Sequence, residues 1–157
     1  MRSLTAPLGT LLASAIATLT TGPTLLVTIP PHRSSVRDRG ADTTSLIAHR
    51  AAQVLTHAHQ PARVQQLLIR DLDKGKHVGR SAAQRQAAIA GAFLPRQKQI
   101  AKLAKFAGYR IIVVDDVITT GATTLEAAHT LIKADVKVAG IAAVAGTPSR
   151  SWQSSTQ

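Results

Sequence analysis

The chain contains no cysteine, which excludes disulfides, cysteine-ligated zinc and thiol nucleophiles and fits a reducing, cytoplasmic compartment. Aromatic residues are nearly as scarce. Phe93, Phe106, Tyr109 and Trp152 are the whole complement, too few for a stacking platform that tracks single-stranded nucleic acid. Acids are few: eight Asp and Glu stand against 19 Lys and Arg, for a net charge of +11. Fourteen of the basic residues fall between Arg33 and Lys105, with four acids in the same span. Such a field favours phosphates, nucleotides or nucleic acid at a basic surface, although charge alone reads equally well as a solvated surface. No apolar run is long enough to span a bilayer, because "MRSLTAPLGTLLASAIATL" is interrupted by Thr, Pro and Gly.

What is present is a core-forming composition. With 157 residues and 45% apolar content, the chain reads as one domain over residues 1–157. The N-terminus has the basic start and apolar stretch of a secretory signal. Leu8, Leu11, Leu12, Ala15, Ile16 and Leu19 nevertheless fall at spacings of three and four, which favours an amphipathic helix over residues 1–20. "TLLVTIP" reads as a buried strand ending at Pro30, and "PHRSSVRDRG" as a basic loop. "DTTSLIAHRAAQVLTHA" has helical periodicity, with Asp42 or Thr43 as N-cap. "PARVQQLLIR" reads as a strand, "DLDKGKHVGR" as an exposed loop, and "SAAQRQAAIAGAFL" as a helix capped by Ser81 and ending near Gly91. "RQKQIAKLAKFAGY" has no clear type. "RIIVVDD" is the clearest strand, "TTLEAAHTLIKADV" a helix, "VKVAGIAAVAG" a final strand and residues 147–157 a flexible tail. Alternating helices with strands that are apolar on both faces predict an α/β fold: a mainly parallel sheet flanked by helices.

The densest signal is "IIVVDDVITTGATT". Ligands of parallel α/β sheets bind beyond the carboxyl ends of strands, and this stretch places Asp115 and Asp116 at such an end. The small residues that follow let backbone N–H groups converge ahead of a helix, whose dipole adds positive potential. Thr119, Thr120 and Thr123 add hydroxyl donors, and Gly121 admits backbone geometry closed to other residues. Thr123 and Glu126 have capping-box spacing. The turn suits a phosphate monoester. The acids cannot bind phosphate, but they suit the vicinal hydroxyls of a ribose, or Mg²⁺. An ATPase or a phosphoaspartate receiver could also carry "VVDD". The ATPase reading needs a glycine-rich loop ending in Gly-Lys-Ser or Gly-Lys-Thr, and the chain has none.

"VVDDVITTGAT" resembles the phosphoribosyl-pyrophosphate signature of the type I phosphoribosyltransferases. The resemblance implies that Asp115 and Asp116 hold the ribose hydroxyls. It implies that Thr119, Thr120, Gly121, Ala122 and Thr123 hold the 5′-phosphate. Mg²⁺ would arrive with the substrate and meet the acids through water. Residues 8–146 further resemble the ComF/GntX branch, through Pro30, His32, Arg33, Arg37, Arg39, Gly40, Leu46 and Ala48 and through Ser81, Arg85, Ala92 and Phe93. Ala41, Asp42 and Thr43 depart from that branch's Phe-Asn-Gln, and His77, Arg80 and Ala88 from its Gln, Leu and Asn. These departures erode the loop and acceptor side. By resemblance the activity is phosphoribosyl transfer to an unidentified acceptor, or else non-catalytic binding of phosphoribosyl pyrophosphate or a nucleotide beside competence and DNA-uptake proteins. Pro31, His32, Arg33, Arg37 and Arg39 would receive the pyrophosphate, and Lys74, Lys76, His77 and Arg80 would close over it. His32 and His77 are candidate bases only by position, and His49, His57, His59 and His129 sit on expected helices without metal-site spacing. The oligomeric state stays open, a homodimer included.

Overall fold

The computed structural model describes residues 2–31, 42–71 and 89–147. Its element order is α1 (Arg2–Leu19), β1 (Thr24–Thr28), α2 (Thr43–His57), β2 (Ala62–Gln65), β3 (Leu68–Arg70), β4 (Phe93–Pro95), α3 (Gln97–Ile100), a 3₁₀ helix (Ala101–Phe106), β5 (Arg110–Ile118), α4 (Ala122–Lys133) and β6 (Val138–Gly146). Four strands form one parallel sheet in the order β2-β1-β5-β6, and β3 and β4 form a separate antiparallel ribbon. This is a single α/β domain of the expected class.

Strand alternation divides the core into two layers. Leu26, Ile112 and Val114 pack with Leu12 and Ile16 of α1 and with Ile47, Ala51 and Leu55 of α2. Leu25, Val27, Ile111 and Val113 turn the other way, toward Ala127, Ala128 and Leu131 of α4 and Phe93 of the ribbon. Apolar side chains on both faces are what a parallel sheet covered on both sides requires.

Helix α1 lies against α2 at a glycine. A Cβ added at Gly9 would stand 2.5 Å from Arg50 Cγ and 2.6 Å from Arg50 Cβ. Arg50 Cβ is fixed to its backbone, so the helices would have to part. Alanine is a better helix former than glycine by about 1 kcal/mol, yet overpacking costs about 1–3 kcal/mol. Gly9→Ala is therefore expected to destabilise the protein by up to about 2 kcal/mol in urea unfolding. A stabilised variant would mean that helix propensity outweighs this contact.

Three expectations need correction. Residues 61–70 are not one strand: the chain breaks at Gln66–Leu67, and its halves join different sheets. Leu67 and Leu68 are both buried, and Leu68 pairs with Pro95 of β4 while Gln65 pairs with Val27 of β1. The unassigned stretch after Arg96 forms α3 and the 3₁₀ helix. Its half-buried Ile100, Leu103 and Phe106 recur every three residues, the 3₁₀ period. Thr123 and Glu126 form no capping box. The N-cap of α4 is Gly121, Glu126 Oε1 instead accepts from Gly91 N–H at 2.7 Å, and Thr124 Oγ1 donates to Gly121 O at 2.8 Å. The expected helix from Ser81 and the tail 147–157 fall, but for residues 89–94 and Thr147, outside the described residues.

Candidate active site

The sheet order places a topological switch between β1 and β5. The connection from β1 leads to β2 on one side, and that from β5 leads to β6 on the other. Ligands of open α/β sheets bind between the loops that leave the carboxyl ends of such neighbours.

Register fixes which residues stand at that point. The last β1–β5 pair is Thr28 with Val114. The next residues of β5 are Asp115 and Asp116, and β5 continues to Ile118 paired with β6 alone, through Val117–Ala145 and Ile118–Gly146. The acids therefore do not end their strand, as the sequence suggested. They sit past the last β1–β5 pair, on an edge of β5 that is unpaired among the described residues.

Asp115 is half-buried. Its Oδ1 accepts from Asp116 N–H at 2.9 Å, and Asp116 Oδ1 accepts from Val117 N–H at 2.8 Å. A carboxylate has about four acceptor sites, so both keep capacity for ligand hydroxyls. Burial is the main cause that raises the Asp115 pKa to about 6. The Asp116 amide opposes the rise, the neighbouring Asp116 carboxylate adds to it, and Arg70 counters it weakly.

Several carbonyls of the turn after β5 are engaged within the protein. Ile118 O accepts from Thr147 N–H at 2.9 Å, and Thr119 O accepts from Thr147 Oγ1 at 3.2 Å. Gly121 O accepts from Leu125 N–H and from Thr124 Oγ1. The carbonyls of Ile118, Thr119 and Gly121 are thus engaged within the protein. Gly121 has φ 76°, the left-handed region that favours glycine. Thr119 and Thr120 are exposed and Thr123 half-buried. One amide is used internally, Ala122 N–H donating to Thr120 Oγ1 at 3.4 Å.

Arg70, which sequence reasoning passed over, stands beside the end of β1 and close enough to Asp115 for their charges to interact. Its Nη2 donates to Pro30 O at 3.2 Å, its Cζ lies 4.9 Å from the centre of the Phe93 ring, and its buried Nε has no hydrogen-bond partner among the described residues. Burial lowers its pKa and the charge of Asp115 opposes that. One cation thus ties the chain just past β1 to the neighbourhood of the acids. The available signal was an arginine closing the apolar run "LLI" in the chain's otherwise neutral 64–69 segment.

Pro31 follows the end of β1, beside a cavity of about 100 Å³ lined by Thr28, Gln66 and Arg96 among others. His32, Arg33, Arg37, Arg39, Lys74, Lys76, His77, Arg80, Ser81 and Arg85 lie outside the described residues. His49 and His57 border a separate cavity of about 410 Å³ between α2 and β2. Among the described residues no group of three or more His, Asp or Glu is arranged to hold a metal ion, and no helix is long and apolar enough to cross a membrane.

A family model, the phosphoribosyl transferase domain, matches residues 47–155, more than half of the chain. The chain belongs to this family, and its parallel sheet and switch point are those of a type I phosphoribosyltransferase fold. The match takes in β5, the turn and α4. No curated protein matches the chain.

Proposed function

We propose that the chain binds phosphoribosyl pyrophosphate with Mg²⁺ and transfers the phosphoribosyl group to an acceptor. The observation that carries this is the acid pair on the unpaired edge of β5, followed by a turn whose carbonyls are engaged and whose amides lead into α4. Asp115 and Asp116 accept hydrogen bonds from the ribose hydroxyls. Residues 119–123 donate to the 5′-phosphate, through backbone N–H and the threonine hydroxyls. Arg70 offers positive charge beside the end of β1; Pro31, His32, Arg33, Arg37 and Arg39 are assigned to the pyrophosphate, and Lys74, Lys76 and Arg80 to a loop that closes over it. The carboxylate oxygens suit a hard cation that keeps several waters. Mg²⁺ would supply charge neutralisation for the leaving pyrophosphate. The acceptor attacks the anomeric carbon as the C–O bond to pyrophosphate breaks, and the two carboxylates hold the ring while positive charge builds on it.

Membership of the ComF/GntX branch belongs to the same proposal, supported by the motifs of residues 30–48 and 81–93. Calorimetric titration with phosphoribosyl pyrophosphate and Mg²⁺ tests the binding, and pyrophosphate release with a panel of bases tests the transfer. Saturable binding without release, whatever the acceptor, would favour a non-catalytic sensor associated with competence.

A nucleic-acid role has its own observation: Lys98, Lys102 and Lys105 are all exposed on the short helices after β4. DNA affinity would then fall steeply as salt rises, and absence of binding in low salt ends that reading.

A further inference from the structure

Strand β2 ends the sheet on the side away from β6 and pairs only with β1 among the described residues. In a parallel ladder, alternate residues turn both N–H and C=O toward the same neighbour. Thr24 N–H donates to Pro61 O, so Pro61, Arg63 and Gln65 face β1, while Ala62 and Val64 turn their main-chain groups outward. Thr56 of α2 takes up those of Ala62. Ala62 N–H donates to Thr56 Oγ1 at 3.2 Å, and Thr56 Oγ1 donates to Ala62 O at 3.5 Å. Val64 N–H and C=O have no partner among the described residues.

Beside this edge runs the cavity of about 410 Å³. It touches Pro61, Ala62, Arg63 and Val64 in turn, residues of both strand faces, as a void along the outer edge does. Its other wall is α2, with Ala52 between His49 and His57. Both rings are anchored in the same way. His49 Nδ1 donates to Ser45 O at 2.8 Å and His57 Nδ1 to Gln53 O at 2.7 Å, since a carbonyl only accepts. Each Nε2 is then the nitrogen free to take a proton and pair with an anion. Arg63 is exposed, and among the described residues no acid lines the cavity.

We propose that this groove docks an extended acidic segment of a partner protein, which joins the sheet as a strand beside β2. The two histidines stand about 12 Å apart along α2. Side chains i, i+2 and i+4 of an extended segment share one face and span about 13 Å. Acids at i and i+4 meet His49 and His57, and an apolar residue at i+2 rests on Ala52 and Val64. An acid at i+1 or i+3 faces Arg63 across the strand pair. Main-chain bonds to Val64 set the register. With one open residue on the edge these bonds are few, so charge supplies much of the affinity on a chain of net charge +11. A nucleic-acid strand fits less well. Its phosphates offer no donor to Val64 O, and Tyr109 is the one aromatic ring in the lining for a base to stack on. The groove is also remote from the acid pair. Tyr109 just precedes β5, and Asp115 lies about 20 Å further along the extended chain.

Fluorescence anisotropy of dye-labelled Glu-Glu-Val-Glu-Glu, titrated with the full chain in about 150 mM salt, tests the proposal. Saturable binding with a Kd of about 100 µM or tighter is expected. Arg63→Glu and, separately, His49→Ala with His57→Ala should each weaken it at least about tenfold while leaving the circular dichroism spectrum unchanged. Lys102→Glu, the same kind of charge reversal at an exposed residue of the 3₁₀ helix, should weaken it less than about twofold, being screened from the groove. The peptide N-methylated at its valine and at the residue after it keeps its charge. It loses the main-chain donors that a parallel or an antiparallel strand would offer Val64 O, and it should bind at least about tenfold more weakly. Equal binding of the N-methylated peptide reduces the contact to bulk charge attraction and overturns the proposal. So does binding that is absent, indifferent to the groove variants or weakened equally by Lys102→Glu. Displacement by phosphoribosyl pyrophosphate with Mg²⁺ would put the peptide at the acid pair and its turn. Binding of oligothymidylate where the peptide fails, with the same sensitivity to Arg63→Glu, would assign the groove to nucleic acid. Either result overturns the proposal too.

Discussion

The double variant Asp115→Asn, Asp116→Asn is expected to lose the thermal stabilisation that phosphoribosyl pyrophosphate and Mg²⁺ give the wild type. A ligand present at about a hundred times its Kd stabilises by about 2.7 kcal/mol, a shift easily read in a melting experiment. Asparagine keeps the shape of the side chain but replaces one acceptor oxygen by a donor, which faces the ribose hydroxyls wrongly. Undiminished stabilisation of the variant would place the ligand elsewhere.

The single variant Asp115→Asn carries a second expectation that needs no ligand. Burial raises Asp115 to about 6 in the folded protein, whereas an aspartate in an unfolded chain titrates near about 4. The folded state therefore holds this proton more tightly. The stability this group contributes is fully present below about pH 4 and is lost as pH rises through about 6. The substituted amide cannot ionise, so the free variant should be more stable than wild type at pH 7, by about 1 kcal/mol once partial exposure is allowed for. The advantage should vanish near pH 4. Ligand affinity in the wild type should fall as pH drops below about 6, since the ribose hydroxyls need the ionised carboxylate. Equal stabilities of variant and wild type across this range would mean that Asp115 is as well solvated when folded as when unfolded.

Gln60→Glu is expected to be the most destabilising single change of one heavy atom. Gln60 is 7% exposed, and its Nε2 donates to Thr20 O at 2.9 Å, Gly22 O at 3.1 Å and Thr24 Oγ1 at 3.0 Å. Two of those partners are carbonyls, which only accept, so the NH₂ end must face them. It ties the turn between α1 and β1 to the turn between α2 and β2. A carboxylate there would point negative charge at acceptor oxygens inside the core. The expected loss in urea unfolding at pH 7 is about 3 kcal/mol or more. Part of it should return in acid, because a carboxyl with a raised folded pKa regains its proton before the unfolded chain does. Gln60→Met, which keeps the volume but removes the donors, should cost less, about 1–2 kcal/mol. A neutral Gln60→Glu would show that this amide is solvated.

The elements that could be read from the chain are those whose signals are local. The run "IIVVDD" announced a buried strand, and the small residues after it announced a turn into a helix, because branched apolar side chains, adjacent acids and glycine each constrain the backbone within a few residues. Residues 42–58 gave α2 to within one residue at either end, with Asp42 as the N-cap, its side chain accepting from Ser45 N–H. The strand within "PARVQQLLIR" was misread because the break at Gln66–Leu67 is set by which sheet each half joins, and partners distant in sequence decide that. Glu126 matched a capping-box spacing, but its carboxylate is taken by the N–H of Gly91, 35 residues away.

The sequence by itself determined the fold class, the two-layered core and the acids and turn that make this chain a phosphoribosyltransferase-family protein, since periodicity and composition act over short distances. Only the tertiary structure decided that the acids sit past the last β1–β5 pair, that Arg70 comes close enough to Asp115 for their charges to interact, and that Leu4, Leu11 and Leu19 of α1 are left exposed. Those features depend on where one strand stops beside another and on how far two helices overlap, quantities fixed by the packing of segments far apart in the chain.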